Sequence, residues 1–165
     1  MKQQILSILV DNTSGVLTRL SGLFSRRGYN IDSLTVGVTA DPKYSRMTVA
    51  ITVNEDELEQ IVKQLAKQVD VRAIKVLEPE ESVNRELILV KIKVDAKQRQ
   101  SLIAIADVFR AKIIDVGIDS VIVELTGTQH KLDAFLNLCQ DVEILELART
   151  GLTGLSRGTD DITYL

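Results

Sequence analysis

VDNTSGVLTRLSGLFSRRGYNI, residues Val10–Ile31, joins the end of a strand pattern to an amphipathic helix pattern. A nearly continuous apolar run containing Ile5, Leu6, Ile8 and Leu9 leads into it. That run reads as a strand over 4–10, buried on both faces. From Val16, apolar residues recur at Leu17, Leu20, Leu23 and Phe24, the spacing of an amphipathic helix, and Gly28 supplies its stop. Asn12, Thr13, Ser14 and Gly15 stand between strand and helix. Such a junction points free backbone N–H groups, and the positive end of a helix dipole, at any anion above it.

Beyond it, Ile31–Thr39 reads as a second strand, 40–43 as a turn around Pro42, and Met47–Val53 as an alternating third strand, so the two strands form a hairpin. Asn54 caps the next helix, with Glu57 completing a capping-box pair, and Leu58, Ile61, Val62 and Leu65 line its apolar face. Val71–Leu77 closes the unit as a fourth strand. The order β-α-β-β-α-β is the split βαβ plan of the ferredoxin-like fold.

The polar, proline-containing run after Leu77 reads as a linker over 79–85. The same order then repeats. Leu87–Val94 is a strand, Asp95 caps a helix, Ile113–Val116 and Val121–Leu125 form a hairpin, Thr128 caps a helix, and Glu143–Ala148 is a closing strand. The chain is therefore an α+β protein of two ferredoxin-like βαββαβ units in tandem, with boundaries 1–78, 79–85 and 86–165. The glycine-rich end, RTGLTGLSRGTDDITYL, shows no periodicity and is expected to lie over the second unit or a partner.

Composition narrows the function. The 165 residues are 45% hydrophobic and 26% charged, within the globular range, and aromatics make up only 4% with no Trp, so the cores must be aliphatic. A net charge of −3 argues against nucleic acid, which favours a basic stripe with aromatic platforms. One Cys and one His leave no disulfide framework, no Cys- or His-based metal site and no His-dependent triad. No apolar run nears the roughly twenty residues that span a bilayer, and no signal peptide is visible, so a cytoplasmic location is expected.

Converging polar chemistry occurs only at residues 11–15. One reading is an ordinary helix cap in which Thr13 or Ser14 satisfies the free N–H groups. The other is a ligand site. Gly15 allows close approach of the backbone, and Asn30 meets the polar end of a small amino acid held over the helix start. Arg26 and Arg27 complement a helix C-terminus, His130 reads as solvated and Cys139 as core. Asp160 and Asp161 form an unspecific acidic pair. No phosphate loop, nucleophile elbow or paired carboxylates stand out, so no catalytic residues and no metal ligands are assigned. A nucleic-acid-binding ferredoxin-like domain and a small acylphosphatase-type enzyme are the competing readings. Charge opposes the first, and the absence of a phosphate-shaped loop opposes the second.

ILSILVDNTSGVLTRLSGLFSRRGYNIDSLTVG opens a βαββαβ unit that resembles an ACT domain, an amino-acid-sensing module. Together with DPKYSRMT, IIDV, KLDAFL and TGLTGLSRG, it makes essentially the whole chain similar to the small regulatory subunits of acetolactate synthase. The resemblance implies a non-catalytic subunit of branched-chain amino acid biosynthesis. Such a subunit activates a catalytic large subunit and confers feedback inhibition by valine, or else leucine or isoleucine. It implies a homodimer joined edge to edge through ACT sheets, with effector sites at that interface. Carried over by position, the site comprises Asn12, Gly15, Val16, Asn30 and Ile31. Gly15 and Val16 would offer backbone N–H groups, Asn12 and Asn30 would hold the polar end, and Ile31 would lie against the side chain. No cofactor is expected on this chain; thiamine diphosphate, magnesium and FAD are expected in the catalytic subunit.

Overall fold

A computed structural model of the chain describes residues 1–159; the acidic pair Asp160 and Asp161 lies outside them. The chain divides into two compact units. One comprises Met1–Asn84 together with the chain from Leu152, and the other comprises Arg85–Gly151.

The first unit contains β1 (Lys2–Asp11), α1 (Val16–Arg26), β2 (Ile31–Val38), β3 (Tyr44–Val53), α2 (Glu55–Ala66) and β4 (Val71–Val76). Its sheet has the order β2-β3-β1-β4, with every neighbour antiparallel, and β2 and β4 form its edges. Alternation assigns the faces. Leu6, Ile8 and Val10 from β1 pack with Met47, Val49 and Ile51 from β3. The helices cover that face with Val16, Leu20, Leu23 and Phe24 from α1 and Ile61 and Leu65 from α2. The other face of β1 is closed as well, since Ser7 and Leu9 are buried. The continuous apolar run of the sequence thus corresponds to a two-sided strand.

The second unit repeats the plan in β5 (Ser82–Lys93, whose first three residues still belong to the first unit), α3 (Ala96–Phe109), β6 (Lys112–Val116), β7 (Ser120–Gly127), α4 (Gln129–Leu138) and β8 (Glu143–Arg149). Its strands follow the order β6-β7-β5-β8. Ile88, Val90 and Ile92 from β5 pack with Val121, Val123 and Leu125 from β7, beneath Leu102, Leu132 and Phe135 of the helices. Phe109 meets Phe135 edge-on with ring centroids 5.5 Å apart.

Two expectations change. Strand β5 starts at Ser82, inside the polar run read as linker, where Ser82 is buried and its hydroxyl donates to the Glu78 carbonyl. The glycine-rich end also holds a short strand, β9 (Thr153–Ser156), which pairs with β5. Residues 152–159 of this end belong to the first unit, not the second. Leu152 is buried; its N–H donates to Ser33 Oγ, and its carbonyl accepts from Thr35 Oγ1. Arg157 N–H donates to the Glu81 carbonyl. A four-residue strand fixed by such distant contacts leaves no periodic pattern in its own sequence.

Candidate functional site

The loop between β1 and α1 is built from the sheet outward. Asp11 closes β1 opposite Tyr44, and Asn12 then turns onto the β2–β3 hairpin. Its backbone N–H donates to the Lys43 carbonyl at 2.8 Å, and its side-chain Nδ2 donates to the Pro42 carbonyl at 3.0 Å. Asn12 is thereby clipped in place while still exposed. Gly15 is the residue that starts α1, with φ of +86°, a left-handed conformation that favours glycine. No side chain caps this helix; Thr13 and Ser14 do not perform the role that the ordinary-cap reading gave them.

The contrast with the other helices is internal to the molecule. Asn54 accepts from Glu57 N–H and Asp95 from Gln98 N–H, each in a full capping box, and Thr128 accepts from Lys131 N–H. Among the described residues, only α1 opens with uncapped N–H groups, behind an exposed loop of small residues.

Charge surrounds that opening, from residues the sequence reading did not assign to the site. Arg19, one turn into α1, folds back so that its Nη1 lies 2.8 Å from where a Cβ on Gly15 would stand. Its Nε donates to Asp70 Oδ2 at 2.6 Å. Asp70 is 7% exposed, and its carbonyl accepts from Asp11 N–H. The hydrogen bond from Arg19 holds the Asp70 carboxyl below its usual range against the opposing effect of burial, and the same bond raises the Arg19 pKa. Arg72 pairs with Asp11 through two bonds of 2.7 and 2.8 Å. Arg19 and Asp70 are 51 positions apart, so no local pattern in the sequence announces the pair.

Asn30 and Ile31 follow the C-terminal end of α1. That helix ends in a Schellman arrangement: Gly28 has φ of +73°, its N–H donates to the Ser25 carbonyl, and Tyr29 N–H donates to the Phe24 carbonyl. Asn30 is exposed, and Ile31 is half-buried against the first core. The strand register shows where they lie. Ile31 pairs with Ile51 and Ile51 with Gln4, whereas Asn12 follows Asp11 at the opposite end of β1. Seven residues of strand separate the two levels, about 24 Å at roughly 3.4 Å per residue. A single copy therefore groups Asn12, Gly15 and Val16 at one end of the sheet and Asn30 and Ile31 at the other. Val16 itself is 4% exposed and packs in the core, leaving its backbone as the available part.

The remaining candidates are simply placed. His130 is exposed in the first turn of α4. Cys139 is buried, and burial raises its thiol pKa. No cluster of metal-ligating side chains occurs among the described residues, and no helix among them is long and apolar enough to cross a membrane.

Comparison with known proteins assigns both halves. Residues 6–73 match the family model of the AHAS small subunit-like ACT domain, and residues 85–158 match that of the small subunit of acetolactate synthase. The chain belongs to the acetolactate synthase small-subunit family. The acetolactate synthase small subunit of Mycolicibacterium smegmatis is 48% identical over 93% of this chain and 90% of its own length. The isozyme 3 small subunit of Escherichia coli is 50% identical over 94% and 96% respectively. The crystal structure of the acetolactate synthase small subunit from Thermotoga maritima superposes with a TM-score of 0.90 at 36% identity, covering 97% of this chain and all of that one. All five candidate residues of this small-subunit chain fall within its ACT match.

Proposed function

We propose that this chain is the regulatory subunit of a cytoplasmic acetolactate synthase. In this reading it binds the catalytic large subunit, raises its activity and makes it subject to feedback inhibition by valine, or by leucine or isoleucine. Thiamine diphosphate, magnesium and FAD belong to the catalytic partner. The observation that carries the reading is the uncapped start of α1 at Gly15, beside three helices whose starts are sealed by side chains. An effector carboxylate there accepts the N–H groups of Gly15 and Val16 in the positive field of the helix end. Asn12, fixed by the hairpin turn, marks the polar rim.

A second copy supplies the remainder. Strand β2 is an edge, and two such edges paired antiparallel about a two-fold axis set the Ile31 end of one beside the Val38 end of the other. Val38 pairs with Ser45, which in turn pairs with Val10, so this is the end of the sheet that carries Asn12 and Gly15. Each effector site then takes Asn12, Gly15 and Val16 from one copy and Asn30 and Ile31 from its partner. Valine shifts the enzyme because it binds one arrangement of the dimer more tightly than the other.

Mixed dimers test both parts of the proposal. Gly15→Asp puts a carboxylate where the effector carboxylate belongs, and Asn30→Ala removes the partner's contribution. Each variant alone is expected to lose valine binding in calorimetry and valine inhibition in reconstituted assays. A dimer of one Gly15→Asp copy and one Asn30→Ala copy keeps one intact site and regains binding at that site. A Gly15→Asp protein that stays valine-sensitive overturns the site assignment; mixed dimers that recover nothing overturn the shared one.

A further inference from the structure

The face of the first sheet turned away from the helices carries a second feature, unrelated to the helix start. Arg46 on β3 pairs with Leu9 on one side and Gly37 on the other, and Ser7, Thr48 and Thr35 stand level with one another two residues along. Cross-strand neighbours share a face, so these side chains lie on one surface. Arg46 is half-buried there, and its Nη1 donates to Ser7 Oγ at 2.7 Å. Among the described residues it forms no ion pair with any carboxylate. Burial lowers its pKa. Thr48 Oγ1, on the same face, is fully buried and has no hydrogen-bond partner.

A cavity of about 230 Å³ opens beside Arg46, lined also by Thr35, Gly37, Thr39 and Thr153. The space over Gly37, a residue of a regular strand, is empty: a Cβ built there meets nothing within 4 Å. Thr153 comes from the glycine-rich end and brings a hydroxyl to the rim. A half-buried guanidinium that meets only a serine hydroxyl is costly unless an anion completes it. Its planar fork matches a two-oxygen acceptor, and the Thr153 hydroxyl adds a donor at the rim, whereas the Thr35 and Thr39 hydroxyls already donate to backbone carbonyls.

We propose that this cavity is a binding site for a small oxyanion, a carboxylate or a phosphate group, with Arg46 as its principal ligand. Arg46 supplies the fork, the Thr153 hydroxyl supplies a further donor, and Gly37 leaves the space the ligand occupies. The site shares no residue with the amino-acid site at α1.

The test uses the full chain, titrated with inorganic phosphate and, separately, acetate, by calorimetry and thermal shift. The wild-type protein is expected to bind at millimolar concentration or below, with phosphate favoured if the physiological ligand carries a phosphate and acetate favoured if it is a carboxylate. Arg46→Gln removes the fork, and Gly37→Val fills the cavity while leaving Arg46 in place. Each is expected to weaken binding by about tenfold or more. If Arg46→Gln fails to fold, Gly37→Val still decides the matter. Unchanged affinity in the folded variants overturns the proposal. So does a wild-type response to either anion that does not saturate in the millimolar range.

Discussion

Arg19 stands where helix electrostatics disfavour a cation, at the start of α1 and against its positive end. Asp70 offsets that cost, and their bond leaves the guanidinium curled over Gly15 as part of the positive rim. The arrangement gives stability a definite pH dependence. The Asp70 carboxyl has a lowered pKa in the folded chain, so its contribution is fully present above the unfolded value of about 3.9 and fades as pH falls through the lower folded value. Urea unfolding followed downward from pH 5 should show this loss. Asp70→Asn should flatten that part of the profile, while an identical acid limb in the variant would assign the effect to other carboxylates. Gly15 and Asn12 are legible from sequence because strand, cap-type residues and helix follow one another within a few positions. Arg19 and Asp70 are not, because 51 residues of chain separate them.

At the scale of elements, patterning read well wherever one face is buried. The capping box at Asn54 and Glu57 is as read from sequence, and Asp95 forms an equivalent one with Gln98. The start of α1 differs because glycine, not a side chain, begins the helix. In the second unit a buried charge ties three elements together. Arg149 on β8 donates to both oxygens of Glu86 on β5, at 2.9 and 3.0 Å, and also reaches Asp133 on α4. Glu86 is only 5% exposed, so removing its partner strands a carboxylate in a poorly solvated place. Arg149→Met is expected to destabilise the second unit by about 3 kcal/mol in chemical denaturation, at the lower end for broken buried pairs because the arginine is partly exposed. Adding Glu86→Gln should recover much of that loss. A single variant as stable as wild type would show the pair to be incidental.

At the scale of the whole molecule, the glycine-rich end returns to β2, the strand whose edge the proposed dimer uses. Leu152 is 5% exposed, and Ser33 and Thr35 hold its backbone. Leu152→Ala should therefore destabilise the first unit by about 2 kcal/mol, the low end for truncating a buried leucine. Hydrogen exchange read segment by segment should show faster opening of β2 and β9 with the second unit unchanged; equal protection throughout would mean that Leu152 does not anchor the strand.

Local sequence carries the tandem βαββαβ plan and the polar junction ahead of α1, and its motifs carry the acetolactate synthase small-subunit family. The plan and the junction rest on periodicity, caps and turns that act over a few residues, and the family on the likeness of whole motifs to known chains. Tertiary structure decided the rest. The strand register set Asn30 and Ile31 at the far end of the sheet from Asn12, the chain end folded onto the first unit, and Arg46 came to stand beside Ser7 without a carboxylate. Each of these depends on contacts between residues far apart in the chain, which local spacing does not encode.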